Sequence, residues 1–352
     1  MRVALIASPF ISVPPERYGG TELFVASLAE ALVGLGVDVD VYANGESRVK
    51  ANLHSRYPTQ EWSMSSETSG LTKEIDHTAW AVDDADATCD IIHVSSPFAV
   101  PFSRFSSRSF VCTLHHPYNF MLRDLYERHS LVAYAAISQH QASLYATLHP
   151  RVIHHGLDLT KYHFEEKKQP YVLFLGRICP IKGTHNAIAI AKLAGMPLKI
   201  AGEVQPIFRD YFETEIRPHL DGHNIAFVGE ADFADKNELL SHASALLFPI
   251  EWEEPFGLVI IEAMACGTPV IAFSGGAVEE LIEDGISGRI CRDVAKAAES
   301  LQRESFQPKA VRQSAERRFS ADTMARHYYR LYSDLQKRIP LSAGRPPGET
   351  AA

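Results

Sequence analysis

Twice along this chain, short apolar runs alternate with segments of helical period, and the series restarts once after a polar, proline-closed break. The first series is Val3–Ala7, Val37–Tyr42, Ile91–Val94, Phe110–Leu114, Val132–Ile137 and Val152–His154. The second is Tyr171–Leu175, Leu198–Ala201, Ile225–Val228, Ala245–Pro249, Pro269–Phe273 and Gly288–Ile290. Short apolar runs spaced by helix-length segments are the mark of parallel α/β sheets, whose strands are covered on both faces. The break, Leu157–Pro170, reads as a linker. An α/β chain of two Rossmann-like domains facing a central cleft follows, spanning 1–160 and 168–320. At 352 residues there is chain enough for two full-sized cores. Ligands of open α/β sheets bind outside the carboxyl ends of the strands, so a cleft between two such edges is where a site belongs.

Composition narrows the class. Hydrophobic residues make up 46% of the chain, yet no apolar run approaches the ~20 residues of a membrane span. The start, MRVALIASPF, is broken early by Pro9 and reads as a first strand rather than a signal peptide. Five cysteines, Cys89, Cys112, Cys179, Cys266 and Cys291, are widely and irregularly spaced, with no CxxC or Cys–His cluster. That pattern indicates neither a disulfide framework nor a structural zinc site, and places the expected home in the reducing cytoplasm. The net charge is −9, and residues 1–167 carry 13 Lys and Arg against 19 Asp and Glu. An acidic first half argues against nucleic acid and against an anionic membrane surface as partners. The Gly/Pro-rich segment 341–352 is expected to be disordered.

The densest signal lies in Phe248–Ala272, FPIEWEEPFGLVIIEAMACGTPVIA. Seven residues separate Glu254 from Glu262, with Pro-Phe-Gly after the first and Gly-Thr-Pro after the second. The spacing predicts a helix starting near Gly257, whose N-terminal amides point at open space and attract an anion. Glu254 then stands at the edge of the anion site and Glu262 more than one turn inside the helix. Carboxylates accept hydrogen bonds from hydroxyls, so this layout suits a ligand combining phosphate with sugar hydroxyls. A strand–turn–helix unit with two solvated glutamates is the plainer alternative.

Three further constellations fall in the strand-end loops. Leu175-Gly176-Arg177-Ile178-Cys179-Pro180-Ile181-Lys182-Gly183 puts two cations five positions apart after a strand, a fork and a point charge suited to a diphosphate. Tyr18-Gly19-Gly20-Thr21-Glu22 opens a helix over Thr21–Leu35 with tandem glycines, which let backbone N–H groups approach an anion. Cys112-Thr113-Leu114-His115-His116-Pro117 ends a strand with histidine, well placed to hydrogen-bond a sugar hydroxyl.

In this order, these motifs resemble the retaining glycosyltransferases of family 4, enzymes of GT-B fold, over nearly the whole chain from Met1 to about Lys337. The resemblance implies a catalytic set of His115, Glu254, Arg177 and Lys182. It implies donor binding by Gly19, Gly20, Arg177, Lys182, Glu262 and the backbone of Phe256, Gly257 and Leu258. Arg177 and Lys182 would hold the diphosphate, Glu262 the ribose and Glu254 the transferred sugar. Gly19 and Gly20 would cover the donor phosphate on closure, and Glu22 stays open between capping and acceptor contact. His155-Gly156-Leu157-Asp158 resembles the family's Asn-Gly-Val-Asp at the domain junction, with His155 in place of Asn and read as structural. A C-terminal helix, about Ala321–Lys337, would cross back to the first domain.

The expected activity is transfer of a hexose from a nucleotide sugar, UDP-linked in the family's common choice, to a hydroxyl acceptor. The resemblance implies front-face attack, with no metal and no cofactor beyond the donor. Asp84-Ala85-Asp86 and Asp38-Val39-Asp40 match a metal-binding Asp-x-Asp, but both read as solvated faces. A soluble or oligosaccharide acceptor is expected, a lipid-linked one being the alternative. It would meet loops Phe10–Tyr18 and His115–Phe120, whose aromatics Phe10, Tyr18, Tyr118 and Phe120 can stack on a ring. A nucleotide-sugar 2-epimerase of the same fold and a non-catalytic nucleotide-binding paralogue are the other readings. A glycogen-type phosphorylase is disfavoured by length.

Overall fold

The computed structural model describes residues 1–17, 19–61 and 67–338; Tyr18 and the tail 341–352 lie outside the described residues. The first apolar series forms a seven-stranded sheet of β1 (Arg2–Ile6), β2 (Asp38–Tyr42), β3 (Asn52–His54), β4 (Ile91–Val94), β5 (Ser109–Leu114), β6 (Ala133–Ala136) and β7 (Arg151–Val152). Its order is β3-β2-β1-β4-β5-β6-β7, parallel throughout. The second forms a six-stranded parallel sheet of β8 (Val172–Leu175), β9 (Leu198–Ala201), β10 (Ile225–Gly229), β11 (Ala245–Phe248), β12 (Val270–Phe273) and β13 (Gly288–Cys291). There the order is β10-β9-β8-β11-β12-β13. Each sheet reverses its winding direction once, between β1 and β4 and between β8 and β11, and these switch points open crevices at the carboxyl edge. Strand β3 was not expected. It lies at an edge with Asn52 and Leu53 exposed, so burial left no apolar run to read.

The helix Gly20–Gly34 buries Phe24, Leu28 and Leu32 against Val3, Leu5, Val39 and Val41 of the first sheet. The last helix, Ala321–Arg338, adds Met324, Tyr328, Leu331 and Tyr332 to that same core, so the end of the chain packs on the first domain. Each such side chain contributes roughly 1.5–3 kcal/mol on full burial. A buried polar chain pins the returning helix. His93 bridges the Tyr332 hydroxyl at 2.7 Å and Thr113 Oγ1 at 2.7 Å, and Thr113 meets the Tyr328 hydroxyl at 2.8 Å. Burial pushes His93 down to about 3, so its ring is neutral and serves as one donor and one acceptor.

The two passages between domains lie side by side. Leu157 N–H donates to the Phe319 carbonyl at 2.9 Å, and Ala321 N–H to the Leu157 carbonyl at 2.8 Å. A Cβ on Gly156 would stand 2.4 Å from the Ser320 carbonyl oxygen, which is why glycine is needed at this crossing. The segment expected as a polar linker is docked on the second domain. Tyr162 is buried, and Lys168 Nζ donates to the Ser241 and Cys266 carbonyls at 2.7 and 2.9 Å and to Thr268 Oγ1 at 2.9 Å. Lys168 thus satisfies helix-end carbonyls, while Lys161, Glu166 and Lys167 are exposed.

One expectation about the aspartates is corrected. Asp40 is fully buried, not a solvated face. It accepts from Arg2 Nε at 2.5 Å and Nη2 at 3.0 Å, from Asn52 Nδ2 at 3.2 Å, and pairs with His54 at 2.9 Å. These partners outweigh its burial and hold its carboxyl down at about 2. Asp84 accepts from the Tyr42 hydroxyl at 2.7 Å, and Asp86 from the backbone of Ser107 at 2.9 Å. Asp84 and Asp86 thus tie helix Glu67–Thr88 to β2 and to the loop before β5, while Asp38 is exposed as expected.

Candidate functional site

The site is built where the carboxyl ends of β8 and β11 meet the helix Leu258–Ala265. That helix buries Ile260, Ile261, Ala263 and Met264 completely, which fixes its axis against the second core. Gly257 caps it at φ 98°, a conformation that costs other residues dearly, and no side chain caps its first amides. The helix thus starts where the sequence predicted, with no side-chain cap on its first N–H groups among the described residues.

Lys182 reaches the same place from the other strand. After β8 the chain makes a short turn, Pro180–Lys182, and Gly183 at φ 72° starts the next helix. A Cβ on Gly183 would stand 1.8 Å from the Pro249 carbonyl oxygen, so the turn lies flat on the end of β11. Lys182 Nζ meets Glu254 Oε2 at 2.5 Å and sits 4.6 Å from the Trp252 ring centroid. Trp252 Nε1 donates to the same carboxylate oxygen at 3.1 Å. Behind it, Ala277 N–H donates to the Glu254 carbonyl at 2.8 Å, and Gly276, at φ 62°, has no room for a Cβ. Glu254 is thus held at both its backbone and its side chain, and neither glutamate is solvated: both are buried.

Glu262, on the helix proper, accepts from Lys236 Nζ at 2.5 Å and from the Tyr162 hydroxyl at 3.1 Å. The two carboxylates therefore each carry one lysine, one at the helix entrance and one a turn within. Arg177, half-buried, follows Gly176 at the end of β8. Paired buried charges of this kind are compensated only while both partners stay.

The first domain supplies the opposite wall. A Cβ on Gly20 would stand 3.2 Å from Leu258 Cδ1, which brings the Gly19–Gly20 start of the long helix over the entrance of the helix Leu258–Ala265. His115 follows β5 directly; its ring lies parallel to His155 with centroids 5.4 Å apart, and Phe24 meets it edge-on at 4.7 Å. Burial first, then the neighbouring His155, His116 and His93, lower its pKa well below the ordinary imidazole value. His115 is neutral, and its Nε2 is buried without a hydrogen-bond partner among the described residues. His155 continues the wall, its ring edge-to-face with Phe256 at 4.8 Å. It links the turn before the helix Leu258–Ala265 to His115, a contact its expected structural role did not include.

Lys236, Tyr162 and Trp252 were not singled out from sequence. Of the residues expected to face an acceptor, Tyr118 is exposed on the loop after β5 and Phe120 is exposed at the start of the helix Phe120–Glu127. Among the described residues no group of three or more His, Cys, Asp or Glu side chains is arranged to hold a metal ion. No helix among them is long and apolar enough to cross a membrane.

Comparison with known proteins follows the geometry. A family model described as Glycosyltransferase Family 4 matches residues 18–161, and one described as Glycosyl transferases group 1 matches residues 159–307. A glycogen synthase of Mycobacterium tuberculosis (strain CDC 1551 / Oshkosh) is 33% identical over 175 residues, covering 47% of this chain and 42% of that protein. The chain thus matches less than half the length of this curated relative. AviGT4, a glycosyltransferase involved in avilamycin A biosynthesis, has a crystal structure superposing with a TM-score of 0.76. It is 24% identical, with 96% of this chain and 98% of that one covered. Anabaena Alr3699/HepE in complex with UDP-glucose superposes at 0.71, with 21% identity and 95% and 100% coverage. Two parallel-sheet domains, adjoining family matches over 18–307 and full-length superpositions place this chain in the family 4, or group 1, glycosyltransferases of GT-B fold.

Proposed function

We propose that this chain is a retaining glycosyltransferase that moves a hexose from a UDP-sugar to an acceptor hydroxyl. The observation that carries this reading is the pairing of Lys182 with Glu254 and Lys236 with Glu262 around an uncapped helix entrance. A diphosphate seated on the amides of Gly257 and Leu258 would draw Lys182 and Arg177 to its oxygens and release Glu254 toward the sugar hydroxyls. Glu262 would take the ribose, and Gly19 and Gly20 would cover the phosphates from the first domain. A solved neighbour of the same fold holding UDP-glucose supports UDP as the carrier.

In the reaction, the bond from the sugar C1 to the diphosphate oxygen breaks and one from C1 to the acceptor oxygen forms on the same face. The acceptor proton passes to the departing diphosphate. Cationic side chains and helix amides stabilise the charge that develops there, the kind of preorganised electrostatics that dominates such steps. Neutral His115, with Nε2 open, would accept or donate one hydrogen bond at the transferred sugar. The reading requires no metal and no cofactor besides the donor, and a soluble or oligosaccharide acceptor.

The test is product stereochemistry. With UDP-α-glucose, excess EDTA and a panel of sugar acceptors, proton NMR should give an α-anomeric product at an undiminished rate. A β-linked product, loss of activity in EDTA, or a 2-epimerised nucleotide sugar would each contradict the reading.

A further inference from the structure

One acidic side chain of the second domain reaches across to the first and has no part in the donor site. β6 ends at Ala136, and Ile137 continues into the second core, where it is buried with Phe256, Val278 and Leu281. Ser138 then caps the short helix Gln139–Leu144. Glu280, from helix Val278–Leu281 of the second domain, closes on that start. Its Oε2 accepts from the Gln139 N–H at 2.8 Å and its Oε1 from the His140 N–H at 3.1 Å. His154, ahead of the first passage between the domains, meets Oε2 at 3.1 Å.

The stretch that carries Glu280 also holds Glu254. Ala277 N–H donates to the Glu254 carbonyl at 2.8 Å, and Gly276 N–H to Glu253 Oε2 at 2.6 Å. Glu253 in turn lies 3.5 Å from His140 Nε2. Arg318, beside the second passage, donates through Nη1 to the Leu281 carbonyl at 2.9 Å and through Nη2 to the Glu280 carbonyl. Helix Val278–Leu281 is therefore tied to the Glu254 turn, to the crossing and to the first domain at once. An ordinary surface ion pair would carry little weight in such a junction. This contact differs: a carboxylate that accepts from backbone N–H groups makes charge-assisted bonds to donors that cannot swing away. The Glu280 side chain is 19% exposed. Burial opposes its charge, yet His154 and the two amides outweigh burial and hold the carboxyl below its ordinary value.

We propose that Glu280 is a positioning residue: by taking the Gln139 and His140 amides it fixes the first domain on the turn that carries Glu254, and so holds Glu254 in register with His115 for transfer. This rests on the transferase reading above, since the transferred sugar is what both residues would meet. Glu280 touches neither substrate and acts through Glu254. Its loss frees the turn from the first domain and leaves Arg177, Lys182 and Glu262 in place within the second. UDP should then bind as before while transfer slows.

Calorimetry with UDP, and UDP release from UDP-glucose over a panel of sugar acceptors, test this with three variants. Glu280→Ala should lower kcat about tenfold or more, with KM for UDP-glucose changed far less and UDP affinity within twofold of the unaltered chain. Glu280→Gln keeps one acceptor oxygen and should recover part of that loss. Gln139→Pro removes one N–H from the other side of the contact. Gln139 is exposed and holds the first helical position, after Ser138 at φ −153° and ψ 161°, the extended backbone that suits a residue before proline. This variant should lower kcat about threefold or more, again with UDP affinity unchanged. Unchanged kcat in both Glu280→Ala and Gln139→Pro, or UDP affinity that falls in step with kcat, would overturn the positioning role with the transferase reading intact. No UDP release by the unaltered chain would overturn the transferase reading and this role together. Because Gln139→Pro leaves Glu280, His154 and Glu253 in place, it decides the matter even where Glu280→Ala folds poorly.

Discussion

Replacing Lys182 with Met is expected to weaken UDP binding about ten- to a hundredfold, the loss of one charge-assisted hydrogen bond to phosphate worth roughly 1.5–3 kcal/mol. Turnover should fall further than binding. With Lys182 absent, the buried Glu254 carboxylate keeps only the Trp252 N–H of its two partners in this structure. An uncompensated buried charge is costly, and Glu254 would then shift or hold a proton in place of contacting the sugar. The packing consequences are small, because Met fills the same space against Trp252 and Phe248. Calorimetry with UDP and initial rates with a UDP-sugar separate the two effects. Unchanged UDP affinity would remove Lys182 from the diphosphate site.

The second large effect divides the two glutamates. Glu254 stands ahead of the helix, where Lys182 holds it, and Glu262 stands inside, where Lys236 and Tyr162 hold it. Glu254→Gln should cut turnover about ten- to a hundredfold with UDP affinity nearly intact, because the substitution weakens a hydrogen bond to the transferred sugar and none to the nucleotide. Glu262→Gln should instead weaken UDP itself by a similar factor, since a ribose hydrogen bond exists with or without the sugar. Both variants keep one amide oxygen to accept from the neighbouring lysine, so gross misfolding is not expected. Identical profiles for the two would contradict the division of roles.

Strand positions in both sheets could be anticipated because parallel strands bury both faces and leave continuous apolar runs. Leu198–Ala201 and Ile91–Val94 match their expected bounds residue for residue. The edge strand Asn52–His54 broke that rule, having neither face fully covered. The start of the helix Leu258–Ala265 was legible from Gly257, which adopts a positive φ there. Lys236 was not legible. It pairs with Glu262 across 26 positions, on a helix with no motif of its own, and Tyr162 reaches the same carboxylate across 100. Asp40 misled for a related reason: beside the second strand it read as a solvated face, while Arg2, Asn52 and His54, from the neighbouring strands, close over it. Local periodicity reports burial and turns; which distant charges meet is decided by the fold.

The central claim is that a nucleotide diphosphate binds at the entrance of Leu258–Ala265, held by Arg177 and Lys182 without a metal. Titration calorimetry of UDP into the full chain in EDTA tests it most directly, alongside Lys182→Met and Glu262→Gln. Metal-free binding to the unaltered chain, weakened about tenfold or more in each variant, is the predicted result. Absence of binding in EDTA, or binding that neither substitution alters, would contradict it.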